Sequence, residues 1–249
     1  MGWKKARIFG LEVDTIGLNA AADACMKLIG AEGGYVVTLN PEMCMASLKD
    51  RAFADIIRGA SLVVPDGIGI TWALGRLGYG RTEKVPGIEL AEAVVARCAA
   101  SGVPIYLLGA KPGVAERAAA SLALKHSGLK VAGVKDGYFP AEQEETVAAQ
   151  VMGQGAGLVL VALGAGRQEA FMARACSMKK GVVMIGVGGS LDVFSGDVQR
   201  APLAVRKAGM EWLYRGLSQP SRARRLMKLP EFAFTVLFRR SLAKNGRKL

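Results

Sequence analysis

Five solidly apolar runs constrain this chain more than any other feature: "YVVTL" (35–39), "SLVVP" (61–65), "PIYLLG" (104–109), "GLVLVALG" (157–164) and "GVVMIGVG" (181–188). None alternates apolar with polar residues, so a strand built from any of them has no face for water. "LKVAGV" (129–134) reads as a further strand. Between the runs lie stretches of helical length. "PEMCMASLKDRAFADIIRGA" is expected as one helix over 41–60, with Pro41 at its first position. "IGITWALGRLG", "PGIELAEAVVARCAASG", "AKPGVAERAAASLALK", "AEQEETVAAQVMG" and "RQEAFMARACSM" also read as helices. Strands buried on both faces and alternating with helices imply a mainly parallel sheet sandwiched by helices, a Rossmann-like α/β fold. "RIFGLEVD" near the N-terminus is expected as a small hairpin arm. The chain has 249 residues, 51% of them hydrophobic, enough for one large domain or a domain with an appendage.

After about residue 195 the alternation stops. From Arg200 to Leu249 there are 13 Lys and Arg against two acids, Glu211 and Glu231, so this segment carries +11 of the chain's net +12. The expected organisation is an α/β body over 1–195 and a basic helical appendage over 196–249, broken at Pro220 and Pro230. Such a charge calls for an anionic partner: a phosphate compound, a nucleic acid or an acidic membrane surface. "FAFTVLF" (232–238), followed by Arg239 and Arg240, is too short to span a bilayer and suits its interface. A nucleic-acid reading finds no platform of stacking aromatics and no reader module in the body, so no nucleic-acid partner is expected. A nicotinamide-dependent reading lacks the dinucleotide glycine fingerprint. Cys25, Cys44, Cys98 and Cys176 form no C-x-x-C pair and are expected as reduced residues in helices. No secretory leader and no apolar run of spanning length stands in the sequence, which points to the cytoplasm.

In open parallel sheets ligands bind beyond the carboxyl ends of the strands. Those ends carry Thr38 and Asn40; Asp66 and Gly67; Gly109, Ala110 and Lys111; Asp136 and Tyr138; Gly164 to Gln168; and Gly188, Gly189 and Asp192. Glycines or short polar side chains at every strand end point to a shared pocket in which backbone approaches a ligand closely. Asp66 stands where an apolar strand gives way to a helix. An Asp there is a helix cap or, beside Thr38 and Asn40 on a neighbouring strand, a general base for a substrate hydroxyl. There is no Asp-x-Asp metal motif, and the one histidine, His126, lies in "KHSG", expected at the surface; no metal site is expected.

"TLNPEM", "VVPDGIGI", "VPGIEL", "LLGAKPGVAE", "DGYF", "LGAGRQE", "GVGGSLDVFSG", "RAP" and "EWLYR" occur in an order and spacing that resembles the WecG/TagA/CpsF glycosyltransferases, glycosyltransferase family 26. The resemblance implies inverting, cofactor-free transfer of an N-acetylmannosamine-type sugar from a UDP donor to a polyprenyl-diphosphate-linked N-acetylglucosamine, for teichoic acid or related surface polymers. It implies a soluble core, self-association, and an appendage that brings the enzyme to the inner face of the membrane and completes its site. Asp66 takes the position of the family's base, Thr38 and Asn40 those of its pocket Thr and Asn, and Gln168 that of the Gln in its Gly-x-Pro-Lys-Gln-Glu motif. Arg215, Arg222 and Arg225 match its appendage arginines. Gly109, Lys111, Asp136, Tyr138, Gly164, Gly188, Gly189 and Asp192 are the expected donor-binding set. This chain departs from the motif at Gly166 and Arg167, where the family has Pro and Lys.

Overall fold

The computed structural model describes residues 3–207, 210–211, 213–214 and 228–244. Six strands form one parallel sheet: β3 (Gly34–Leu39), β4 (Leu62–Pro65), β5 (Ile105–Gly109), β6 (Val131–Lys135), β7 (Leu158–Ala162) and β8 (Val183–Gly186). Their order across the sheet is β4-β3-β8-β7-β5-β6. Every residue of β4, β5, β7 and β8 is buried. The unbroken apolar runs therefore mean what they imply: helices cover both faces.

One helical layer comprises α2 (Pro41–Lys49), α3 (Arg51–Arg58), α4 (Ile68–Arg76), α7 (Glu144–Gly153) and α8 (Arg167–Cys176). The opposite layer comprises α1 (Leu18–Leu28), α5 (Gly87–Ser101), α6 (Val114–Lys125) and α9 (Ser190–Phe194). Successive residues of each strand serve opposite layers; Val37 and Leu39 pack in the first core, Val36 in the second. The expected N-terminal arm is a hairpin of β1 (Lys5–Ile8) and β2 (Leu11–Asp14). It protects the sheet edge. The buried Asp14 carboxylate accepts the Val63 amide of β4 at 2.8 Å and the Trp3 indole N–H at 2.7 Å. An edge strand thus finds a side-chain acceptor instead of another chain.

Two expectations need correction. The stretch 41–60 is two helices, because Asp50 leaves helical geometry (φ −128, ψ 106) and its side chain accepts the Phe53 amide at 3.0 Å, starting α3 afresh. His126 is not a surface side chain: it ends α6, is only 15% exposed, and lies 4.0 Å from Glu92 of α5. Pro230 lies near the start of the last described helix. It sits in the first turn of a helix over Lys228–Lys244, where a missing N–H costs no internal bond; Pro220 lies outside the described residues.

A short α10 (Leu203–Lys207) follows the body, and the last described helix, α11 (Lys228–Lys244), packs on α2 and α4. Phe232 and Val236 enter the core, with Phe232 edge-on to Phe9 at 5.8 Å. Ion pairs Lys228–Glu42 (3.1 Å) and Lys49–Glu231 (3.2 Å) flank this contact. The cysteines are free, and burial pushes the thiols of Cys25, Cys98 and Cys176 up to about 12, so they remain inert thiols.

Candidate active site

The functional residues gather at the carboxyl edge of the sheet, in two groups joined by a central node. At one end β3 and β4 are neighbours, with Thr38 opposite Val64 and Leu39 opposite Pro65. The Asp66 amide donates to the Leu39 carbonyl at 2.8 Å, which carries the ladder one residue past β4 and holds Asp66 beside the end of β3. The N-cap of α4 is Gly67, at φ 84, with no side-chain cap, and Asp66 stands one residue before it. Asn40 does cap a helix: its Oδ1 accepts the Met43 amide at 3.0 Å at the start of α2. Its amide nitrogen remains as the donor it can offer a ligand. A Cβ on Gly69 would stand 2.6 Å from Pro41 Cγ, so the first turns of α2 and α4 touch. Asn40 and Asp66 are side by side for that reason.

At the other end, beyond β5, β6 and β7, is a cavity of about 660 Å³. Lys111, Tyr138, Phe139, Leu163, Arg167 and Asp192 are among its lining residues. Tyr138 is 69% exposed at its mouth. The turn after β5 is tight: a Cβ on Gly109 would lie 2.3 Å from the Ala162 carbonyl oxygen, and Ala110 is held at φ 60. Strain of this kind, maintained by Ala110 N–H bonding Ala162 (2.9 Å) and Gly137 N–H bonding Ala110 (2.9 Å), marks a loop held for a purpose. Asp136 is not part of the lining. Its Oδ1 accepts the Tyr138 amide at 2.8 Å, an Asx turn that shapes the loop presenting Tyr138.

The node lies between the two groups. Thr38 donates to the Gly186 carbonyl at 3.4 Å, and the Gln168 side chain packs against Gly186. Gln168 is 6% exposed; its Oε1 accepts the Gly188 amide at 3.2 Å and its Nε2 donates to Glu169 at 2.7 Å. The other Glu169 oxygen accepts the Gly166 amide at 2.6 Å. Burial pushes the Glu169 carboxyl above its usual range, and the bonds from Gln168 and Gly166 pull it partly back.

The structure thus brings Thr38, Asn40, Asp66 and Gln168 to one edge and Lys111, Tyr138 and Asp192 to one cavity, with Gly109, Gly164, Gly188 and Gly189 in the turns between them. Arg215, Arg222 and Arg225 lie outside the described residues. Two features were beyond sequence reasoning. Arg167 is more than a retained charge: its guanidinium bonds Glu144 (2.8 Å), the Gly137 carbonyl (3.1 Å) and the Phe139 carbonyl (2.9 Å), and lies 4.6 Å over the Phe139 ring. Arg200 bonds Glu89 at 2.6 Å and Glu211 at 3.4 Å, seating the start of the appendage on α5. Burial opposes the Arg200 charge, and the two carboxylates outweigh it, raising its pKa. Gly87 of the same helix leaves room for Thr38; a Cβ there would lie 3.1 Å from the Thr38 hydroxyl. The latch therefore stands on the wall of the site. Only its charges, arginine and glutamate far apart in sequence, could have hinted at it.

Residues 6–246 match the model of the glycosyl transferase WecG/TagA/CpsF family. The chain belongs to this family. It is also similar to an N-acetylglucosaminyldiphosphoundecaprenol N-acetyl-beta-D-mannosaminyltransferase of Bacillus subtilis (strain 168), 34% identical over 206 residues, covering 82% of this chain and 79% of the relative. As a WecG/TagA/CpsF glycosyltransferase, the chain needs a place for an activated sugar, a base for an acceptor hydroxyl and a means of stabilising the leaving group.

Proposed function

We propose that this glycosyltransferase moves an N-acetylmannosamine-type sugar from UDP onto a polyprenyl-diphosphate-linked N-acetylglucosamine, inverting the anomeric centre, in the synthesis of a teichoic acid-type surface polymer. The observation that carries the reading is Asp66, a half-buried carboxylate held past the end of β4 beside Asn40, in a chain 34% identical to a transferase named for that reaction. In this reading the cavity takes the donor, with Tyr138 exposed for a base to stack on and Asp192 able to accept from ribose hydroxyls. Asp66 removes the proton of the acceptor hydroxyl. The oxygen attacks the anomeric carbon as the bond to the UDP oxygen breaks on the opposite face, so one displacement inverts the centre. The leaving diphosphate needs positive charge. Among the described residues no three His, Cys, Asp or Glu side chains gather to hold a metal ion, and Asp-x-Asp is absent from the sequence. Lys111 in the cavity and the arginines at 215, 222 and 225 are the proposed source of that charge.

The acceptor is a membrane lipid, and α11 offers a surface for one. No helix among the described residues is long and apolar enough to cross a membrane. Phe234, Leu237 and Phe238 face away from the core, with the two Phe rings stacked at 6.1 Å. Together with the +11 of residues 200–249 they favour peripheral association with an anionic leaflet at the cytoplasmic face. Self-association is a further part of the proposal, carried by the family resemblance.

The test is UDP release from UDP-N-acetylmannosamine with and without lipid-diphosphate-linked N-acetylglucosamine. The wild type releases UDP only with acceptor present, in EDTA as in Mg²⁺. Asp66→Asn loses about 10²-fold or more of the rate while binding UDP as before. Turnover retained by Asp66→Asn removes the carboxylate as base, and release from other UDP-hexoses alone changes the donor.

A further inference from the structure

The two turns that flank the donor cavity follow neighbouring strands, and the last backbone bond between those strands runs from the Val187 N–H to the Val161 carbonyl at 2.8 Å. Beyond that bond they are joined by two adjacent side chains, Gln168 and Glu169. The Gly188 amide, in the turn before α9 and Asp192, donates to Gln168; Gln168 donates to Glu169; and the Gly166 amide, in the turn before α8 and Arg167, donates to Glu169. Both side chains are buried, at 6% and 1% exposure. Arg167 and Asp192, the residues these turns deliver, both line the cavity. We propose that Glu169 is a positioning residue for the transfer reaction, its carboxylate setting the separation of the β7–α8 and β8–α9 turns, and with it the shape of the donor cavity, through Gln168 and Gly166. This rests on the reading of that cavity as the UDP-sugar site.

The chemistry of the relay is restrictive. Its two ends are fixed donors, the amides of Gly188 and Gly166. Three contacts must be made, and each needs one donor and one acceptor. The four side-chain atoms in the chain must therefore supply three acceptors and one donor. One amide and one carboxylate satisfy this count; two amides do not, because some pair of N–H groups then faces one another without water to separate them. The order of the two side chains does not matter. A carboxylate at 168 can accept from Gly188 and from an amide at 169, whose oxygen accepts from Gly166. Gly166 itself belongs to the arrangement. It sits at φ 86, outside proline's range, and its N–H is a member of the relay. A proline at this position has neither the angle nor the donor.

The experiment titrates UDP against four full-length proteins, well below the lowest of their melting temperatures: wild type, Glu169→Gln, the exchanged pair Gln168→Glu with Glu169→Gln, and Gly166→Pro. Glu169→Gln and Gly166→Pro are expected to weaken UDP binding about tenfold or more, the scale of a buried donor left without an acceptor. The exchanged pair is expected to recover most of that loss, because it restores three acceptors and one donor. Loss of folded protein lowers the amplitude of the titration and leaves its midpoint in place, whereas displaced turns move the midpoint. An unmoved midpoint in Glu169→Gln overturns the proposal. So does an exchanged pair as weak as Glu169→Gln, which would mean that the Gln168 amide meets the ligand directly. A wild type that fails to bind UDP removes the donor-site reading itself, a result separate from either of these.

Discussion

Asp66 and Asn40 are short polar side chains at neighbouring strand ends, and the backbone groups near each decide how it is held. Asn40 spends its oxygen on the Met43 amide and so starts α2. Asp66 precedes a glycine cap and is held by its own N–H to Leu39. Glu169 illustrates the cost of a buried charge. Its carboxyl titrates above the usual range because burial disfavours the anion. A raised pKa in the folded state means that this group's stabilising contribution is present at low pH and is lost as pH rises through the folded value. Gln168→Glu places a second carboxylate against it and raises that value further. Melting curves from about pH 5 to 8 are expected to show Gln168→Glu below wild type by about 2 kcal/mol or more at neutral pH, with the gap closing toward acid, where the pair shares a proton. A gap independent of pH would mean the two groups do not meet.

At the scale of elements, two of the appendage's attachments among the described residues each make a prediction. The Arg200–Glu89–Glu211 cluster fastens its start to α5. Glu89→Gln takes the charge from the shorter of the two contacts of a half-buried guanidinium and is expected to cost about 1 kcal/mol locally. Limited proteolysis should then cut between residues 200 and 214 several-fold faster while the body resists as before; an unchanged rate would show that the cluster does not hold this segment. The second attachment is α11, whose faces have divided tasks. Phe232 is buried against Phe9, and Phe232→Ala should cost about 3 kcal/mol in thermal stability. Phe234 and Phe238 are 70% and 55% exposed, so replacing both by Ser should leave the melting temperature nearly unchanged and reduce binding to anionic vesicles about tenfold or more. Vesicle binding that survives the double change would assign membrane contact to the basic residues alone.

Over the whole molecule, charge is divided sharply, although α11 of the basic segment packs into the core of the body. The residues before 200 are nearly neutral, and the last fifty carry +11. The proposed division, with the donor held by the body and the lipid acceptor met by the cationic appendage, can be tested by truncation. Chain truncated after residue 195 is expected to bind UDP within a few-fold of the full chain and to lose most acceptor-dependent turnover. Full turnover by that truncation would confine the transfer chemistry to the body.

The sandwich was legible in sequence because its cause is local. A strand covered on both faces must be apolar at every position, and Leu62–Val64 or Leu158–Val161 declare this without reference to any partner. The glycine-rich strand ends, the hairpin arm and Asp66 at a strand terminus were legible for the same reason, as were the motifs that mark the family. The break at Asp50 was not, since a capping Asp in an apolar-periodic stretch looks like any exposed helical residue until its side chain is seen on the Phe53 amide. The burial of His126 under α5 depended on a neighbour that no spacing reveals. Strand order, the cavity beyond β5 to β7, the three-way clamp of Arg167, the Arg200 latch and the Gln168–Glu169 relay belong to tertiary structure alone. Each depends on groups far apart in the chain meeting at hydrogen-bond distance, and a sequence records which donors and acceptors exist but not which of them the fold brings together.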